Sequence, residues 1–164
     1  DDALVGKLLE ERLSRPDCRD GYTLDGYPRN LAQARSLEHL DGARTEVVFL
    51  IETREDVVIR RLATRRVCSS CGAIYNVITR KPAREGVCDV CGATLVQRTD
   101  DRPDVIQERM RTYHAKTEPL IAHYQEKGVL HRVEGNGTVE ETFRPVRDIL
   151  DGELRRAKES QARP

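Results

Sequence analysis

The chain has no net charge, no long apolar run and few aromatic rings. Its 28 Lys and Arg balance 28 Asp and Glu, which argues against a general nucleic-acid binder, since such binding rests on excess positive charge. Nothing approaches the roughly 20 consecutive apolar residues that a membrane span needs, and no signal peptide is found, so no membrane partner is expected. No internal repeat is visible. Aromatic residues make up 4% of the chain, and Tyr75 is the one aromatic residue in its most basic stretch, so stacking on nucleic-acid bases is poorly served. A length of 164 residues suits one domain with room for a small insert.

What is present is a spacing of cysteines. Cys68, Cys71, Cys88 and Cys91 make the pattern C-x2-C-x16-C-x2-C, and two such knuckles can close a tetrahedral four-sulfur shell around one metal ion. Gly72 and Gly92 follow the knuckles and let the backbone turn tightly under the sulfurs. A disulfide framework would spread its cysteines along a secreted chain, whereas four of the five here fall within 24 consecutive positions. A closed shell leaves no open coordination position, so the metal is expected to hold structure and not to catalyse. The spacing alone leaves zinc and iron both open. Reduced, metal-binding cysteines suit a cytosolic protein. Cys18 has no knuckle partner and reads as a small apolar residue near a loop. The segment Arg61–Arg98 holds seven basic residues against two acidic ones, so the insert is a basic element on a neutral body that could face an anion such as a polyphosphate or a nucleic acid.

Around the insert, helix and strand patterns alternate. Asp1 and Asp2 can cap a helix carrying Leu4, Val5, Leu8, Leu9 and Leu13 and ending before Pro16. Residues 21–26 read as a short buried strand ending in a polar turn. Asn30 and Gln33 form a capping-box signal for a helix to about Leu40. Val47–Ile51 is an apolar run suited to a parallel strand covered on both faces. Thr53 and Asp56 should cap the next helix, which runs towards Arg65. A long helix after Pro103 should kink or break at Pro119. Residues 129–133 read as a strand, and Thr138 with Glu141 as a capping box opening a helix through Leu150. This alternation predicts an α/β domain with a parallel sheet.

A second constellation, Asp25-Gly-Tyr-Pro-Arg29 followed by Asn30-Leu-Ala-Gln33, lies at the end of the expected first strand, where open α/β sheets bind ligands. Gly26 lets a ligand approach the backbone, Arg29 offers a fork for phosphate, and Asp25 could hold the water shell of Mg2+.

Residues 25–29 resemble the DG[FY]PR signature of adenylate kinases. Arg19-Asp-Gly-Tyr-Thr-Leu24, Arg61-Leu-Ala-Thr-Arg65-Arg66, Gln97-Arg98-Thr-Asp-Asp101, Arg109 and Tyr113-His114 resemble the long bacterial form of that family, whose lid carries a zinc ribbon. The match runs from about Asp2 to Leu150 in order and at the expected spacing. It implies a parallel-sheet P-loop nucleoside monophosphate kinase fold with a zinc-ribbon lid insert. The implied reaction is reversible phosphoryl transfer between ATP and AMP, giving two ADP, with Mg2+ accompanying the nucleotide and structural Zn2+ in the lid. By the same resemblance, Val5, Gly26, Arg29 and Gln33 would contact AMP, with Gln33 reading adenine. Arg61, Arg65 and Gly137 would contact ATP. Arg98 and Arg109 would grip the transferring phosphoryl group from the AMP side, and Asp25 would join the magnesium–water network. Arg65, Arg98, Arg109 and Asp25 are thus the candidate catalytic residues, and Tyr75 would either face ATP or pack the ribbon. The four histidines are expected to be structural or surface residues.

The family begins with a strand and G-x-x-x-x-G-K-[ST], whose backbone N–H groups and lysine cradle phosphate. This motif occurs nowhere in the 164 residues. The expectation is therefore a fold truncated at its N-terminus, inactive on its own. The expected organisation is 1–66, the rest of the AMP-binding region and core; 67–97, the lid; 98–151, core; and 152–164, a flexible tail. The protein is expected to be cytoplasmic and monomeric. The alternative is a non-catalytic zinc-ribbon module binding nucleotide or nucleic acid.

Overall fold

A computed structural model describes residues 2–41 and 44–161. Asp1, expected to help cap the first helix, and residues 162–164 of the expected tail lie outside them. The elements in chain order are helix α1 (Asp2–Leu13), α2 (Leu31–Asp41), strand β1 (Val48–Glu52), α3 (Glu55–Ala63), β2 (Arg65–Cys68), β3 (Ile74–Asn76), β4 (Leu95–Val96), α4 (Pro103–Thr112), α5 (Pro119–Glu126), β5 (Leu130–Glu134) and α6 (Val139–Gln161). Among the described residues no helix is long and apolar enough to cross a membrane.

β1 and β5 pair with each other. The Val48 N–H donates to Val129 O at one end, and the Gly135 N–H donates to Glu52 O at the other. The bonds advance in the same direction along both strands, so the pair is parallel, as an α/β chain with a long crossover requires. β2, β3 and β4 form a separate antiparallel sheet in the order β3-β2-β4. The chain gathers into two compact units. One comprises the residues up to Leu50, Thr112–Val133 and those from Phe143 onward; the other comprises Ile51–Arg111 and Glu134–Thr142. In the first, Ala34, Leu120 and Tyr124 are buried, with Leu31, Val48, Val129 and Leu130 packed on them. In the second, Cys68, Tyr75, Cys88 and Leu95 form a small core flanked by Ala73 and Ala93.

Several expectations are corrected. Residues 21–26 form no strand: 21–24 carry no regular structure and Asp25 and Gly26 bend, because a segment becomes a strand only by pairing, and no described neighbour supplies the ladder. β1 is half-buried and then exposed along its length, since β5 is its one described partner. The apolar stripe of α1 is largely exposed: none of its residues is buried. The Thr53–Asp56 cap does not form. Arg54 takes the N-cap position without a side-chain cap, and its guanidinium holds Asp56 at 3.0 and 2.7 Å. α3 does run towards Arg65, ending at Ala63, and Arg65 opens a strand. α6 runs on through Gly152 to Gln161.

Other expectations hold. Thr138 and Glu141 make a reciprocal box: the Glu141 N–H donates to Thr138 Oγ1 at 3.2 Å, and the Thr138 N–H to Glu141 Oε2 at 2.7 Å. The long helix breaks before Pro119, where Tyr113–Thr117 form a π-helical turn. The Glu118 N–H there reaches back to Tyr113 O, a widened turn that absorbs the ring of a residue with no N–H of its own.

Candidate functional site

In the first unit the site elements meet where α1 begins and α2 begins. Gly26 has φ +67°, which a side chain would strain, and an added Cβ would lie 3.1 Å from the Arg29 guanidinium. The Arg29 Nε donates to Gly26 O at 2.6 Å, and Thr117 Oγ1 donates to Arg29 O at 2.9 Å. This curls Asp25–Arg29 into a turn with Asp25, Gly26 and Arg29 exposed. Gln33 is buried at the first turn of α2. Its N–H donates to Asn30 Oδ1 at 2.9 Å, the expected cap. Its side-chain carbonyl, however, accepts from the Arg29 N–H at 2.7 Å, one residue earlier than a regular box. Its Nε2 donates to Asp2 Oδ1 at 2.9 Å. Val5 stands on α1 and is 41% exposed.

In the second unit three of the predicted arginines converge on two aspartates. Arg65, first residue of β2, makes a two-point fork with Asp101 at 2.8 and 2.6 Å. Arg98 lies 3.0 Å and Arg109 3.6 Å from Asp100, and Arg109 is 3.7 Å from Asp101. Asp101 is fully buried, and its hydrogen bonds raise the Arg65 pKa above its ordinary value. Gln97 Nε2 donates to Asp101 O at 2.9 Å, which fixes the turn at the exit from the ribbon. Three guanidinium groups held close by two carboxylates leave an excess positive charge. The forks that fit carboxylate oxygens also fit phosphate oxygens.

Arg61 is placed differently. Its guanidinium donates to Gly135 O, Asn136 O and Gly137 O at 2.8, 3.0 and 2.9 Å. It holds the 135–137 loop by three carbonyls. The loop is sterically closed as well: a Cβ at Gly135 would collide with Thr53 and Ile51, and one at Gly137 would lie 2.5 Å from Glu141.

The ribbon brings the four knuckle sulfurs within 4.8 Å of one another. Cys68 and Cys91 are 3.4 Å apart, and Cys71 and Cys88 3.6 Å. A tetrahedral Zn–S bond of about 2.3 Å implies sulfur separations of about 3.8 Å, so the donor set fits a four-coordinate metal. The Ser70 and Cys71 N–H groups point at Cys68 Sγ and, with Cys71 the larger contributor, lower its pKa. Burial works against the Cys88 thiolate, but the Tyr75 hydroxyl and the Cys91 and Val90 N–H groups outweigh it and bring the thiol to about 6. Tyr75 is buried, and its oxygen also accepts the Asp89 N–H at 2.8 Å. It therefore packs the ribbon. Cys18 is buried as expected, with the Arg12 guanidinium 2.9 Å from its sulfur.

Sequence reasoning names Asp2 as a helix cap and Asp100 and Asp101 within a family-like stretch, but gives none of them a part in the site. For the first two the signal is present, as two adjacent acids at the exit of a basic insert. For Asp2 there is none, because its partners lie 28 and 31 positions away.

The family model "Adenylate kinase" matches residues 1–129. The adenylate kinase of Fervidobacterium nodosum is 44% identical over 154 residues, covering 92% of this chain and 71% of that protein. That of Thermoanaerobacter sp. strain X514 is 42% identical over 152 residues, covering 91% and 70%. That of Archaeoglobus fulgidus is 38% identical over 154 residues, covering 92% and 70%. With the parallel α/β frame and the four-cysteine ribbon, these matches place the chain in the class of nucleoside monophosphate kinases. The chain belongs to the adenylate kinase family.

Proposed function

We propose that the chain serves reversible phosphoryl transfer between ATP and AMP, giving two ADP, with the first constellation contacting AMP and the second contacting ATP and the transferring group. The observation that carries this reading is the convergence of Arg65, Arg98 and Arg109 on Asp100 and Asp101. Phosphoryl transfer asks a protein mainly for alignment and charge neutralisation, and clustered arginine forks supply both. On this reading Arg29 and Gln33 hold the AMP phosphate and base, with Gly26 and Val5 beside the base. Arg65 takes ATP phosphate, and Arg98 with Arg109 neutralises the transferring group. Arg61 and Gly137 belong to the ATP base loop. The exposed carboxylate of Asp25 suits the water shell of the Mg2+ that arrives with the nucleotide.

The ribbon, residues 67–97, serves as the lid, and Zn2+ held by Cys68, Cys71, Cys88 and Cys91 makes it rigid. A segment with so small a core needs such a staple. The metal carries no step of the transfer.

The 164 residues include no Gly-x4-Gly-Lys-Ser/Thr cradle, so by themselves they are expected to bind nucleotides weakly and to show negligible turnover in a coupled assay. The binding reading is tested by thermal stability with millimolar AMP, ATP or a short oligonucleotide at ordinary salt. AMP and ATP should each raise Tm, and Arg29→Ala should abolish the AMP effect while leaving that of ATP. Stabilisation by the oligonucleotide alone would instead favour a nucleic-acid module.

A further inference from the structure

We propose that Asp2 determines base specificity: it locks the Gln33 amide in the one orientation that accepts a 6-amino purine and refuses a 6-oxo purine. The inference rests on the reading of Gln33 as the contact to the monophosphate's base.

The two ends of a glutamine amide are nearly the same shape, and a free one can turn over to present either. Gln33 cannot. Its Oε1 accepts from the Arg29 backbone N–H at 2.7 Å, and its Nε2 donates to Asp2 Oδ1 at 2.9 Å. An N–H can only donate and a carboxylate can only accept, so no other assignment satisfies both partners. Turning the amide over would set NH2 against N–H and C=O against carboxylate. Two hydrogen bonds would become two repulsive contacts inside a residue that is 7% exposed.

Asp2 is itself held. Its Oδ2 accepts from Asn30 Nδ2 at 2.9 Å, and Asn30 Oδ1 accepts the Gln33 N–H at 2.9 Å. The three side chains close a ring between the first residue of α1 and the start of α2.

An amide has two N–H donors and two acceptor lone pairs. Asp2 and the Arg29 N–H take up one of each and leave one donor and one acceptor. The N1/N6 edge of adenine offers an acceptor beside a donor and can take both. The N1/O6 edge of guanine offers the same two functions in reversed places. A turned amide would read guanine, and the locked one cannot, leaving donor facing donor and acceptor facing acceptor. Sites built this way discriminate strongly, because mismatched polar groups are left unpaired.

Asp2→Asn puts a second amide in the ring that can donate or accept, so it lifts one of the two constraints on Gln33 and leaves the Arg29 N–H as the other; turning the amide then sacrifices one hydrogen bond where the wild type would set two repulsive contacts. Asp2→Ala removes the ring's acceptor altogether. AMP and GMP affinities are measured by calorimetry on the wild type and both variants. In parallel, exchange of the Gln33 side-chain amide protons is followed by NMR without nucleotide. Asp2→Asn is expected to lower the AMP-to-GMP affinity ratio at least about tenfold, with GMP bound more tightly than by the wild type. Damage to the fold would weaken both nucleotides and could not produce that gain. An unchanged ratio, or parallel weakening, overturns the proposal. A wild type that binds neither nucleotide overturns the reading of Gln33 and the selectivity with it. The lock is then judged separately. Exchange at the Gln33 amide should be at least about tenfold faster in Asp2→Ala, and equal exchange overturns the lock.

Discussion

Arg65 and Asp101 form the most buried ion pair of the candidate site. The Asp101 side chain is 0% exposed and that of Arg65 22%. The two members of the pair are therefore unequal. Removing Arg65 strands a carboxylate that has no route to water, with Arg109 at 3.7 Å as the one other cation paired with it among the described residues. Removing Asp101 strands a guanidinium that can turn outwards. Breaking a buried pair by deleting one partner costs about 3–5 kcal/mol. Arg65→Ala is expected near that range and Asp101→Ala below it, read from urea midpoints at constant slope. If Asp101→Ala proves the more costly, Asp101 does more than balance Arg65. The pair also shows why only half of this cluster is legible in the sequence. Arginines flanking a basic insert stand out against a neutral chain. The aspartates that gather them sit in a charged stretch where solvated acids are the ordinary case, and only burial tells them apart.

At the scale of elements, the ribbon was the most legible part of the molecule, because metal ligation fixes ligand type and spacing together. Its three strands are short, and its core consists of two cysteines, Tyr75 and Leu95 with small neighbours. That is too little apolar surface to fold unaided. Elemental analysis should find about one metal ion per chain, and a strong chelator should lower Tm and loosen the amides of residues 65–97 before those of α2 and α5. A metal-free chain of unchanged Tm would remove the staple from the reading.

Helices with a clear apolar face, such as α2, and caps with reciprocal partners, such as Thr138 with Glu141, were also readable from local pattern. The rest is decided by partners that cap and strand patterns do not name. Residues 21–26 have strand composition but no ladder. Thr53 and Asp56 have cap spacing, yet Arg54 claims Asp56. Tyr75 left two roles open, and the Asp89 N–H and the Cys88 sulfur chose packing.

Across the whole molecule, the two sets of candidate residues fall in separate units. The turn at 25–29 and the Asp2–Asn30–Gln33 ring lie in one; the arginine cluster, the Arg61-held loop and the ribbon lie in the other. The two sets can therefore be interrogated separately, even where binding is weak. The most direct measurement is a pair of amide NMR titrations of the isotope-labelled chain, one with AMP and one with ATP and Mg2+. AMP is expected to shift Gly26, Arg29 and Gln33 first and to leave the ribbon still. ATP is expected to shift Arg61, Arg65 and Gly137 first. AMP shifts centred on the ribbon, or neither nucleotide moving either set, would contradict the assignment of the two sites.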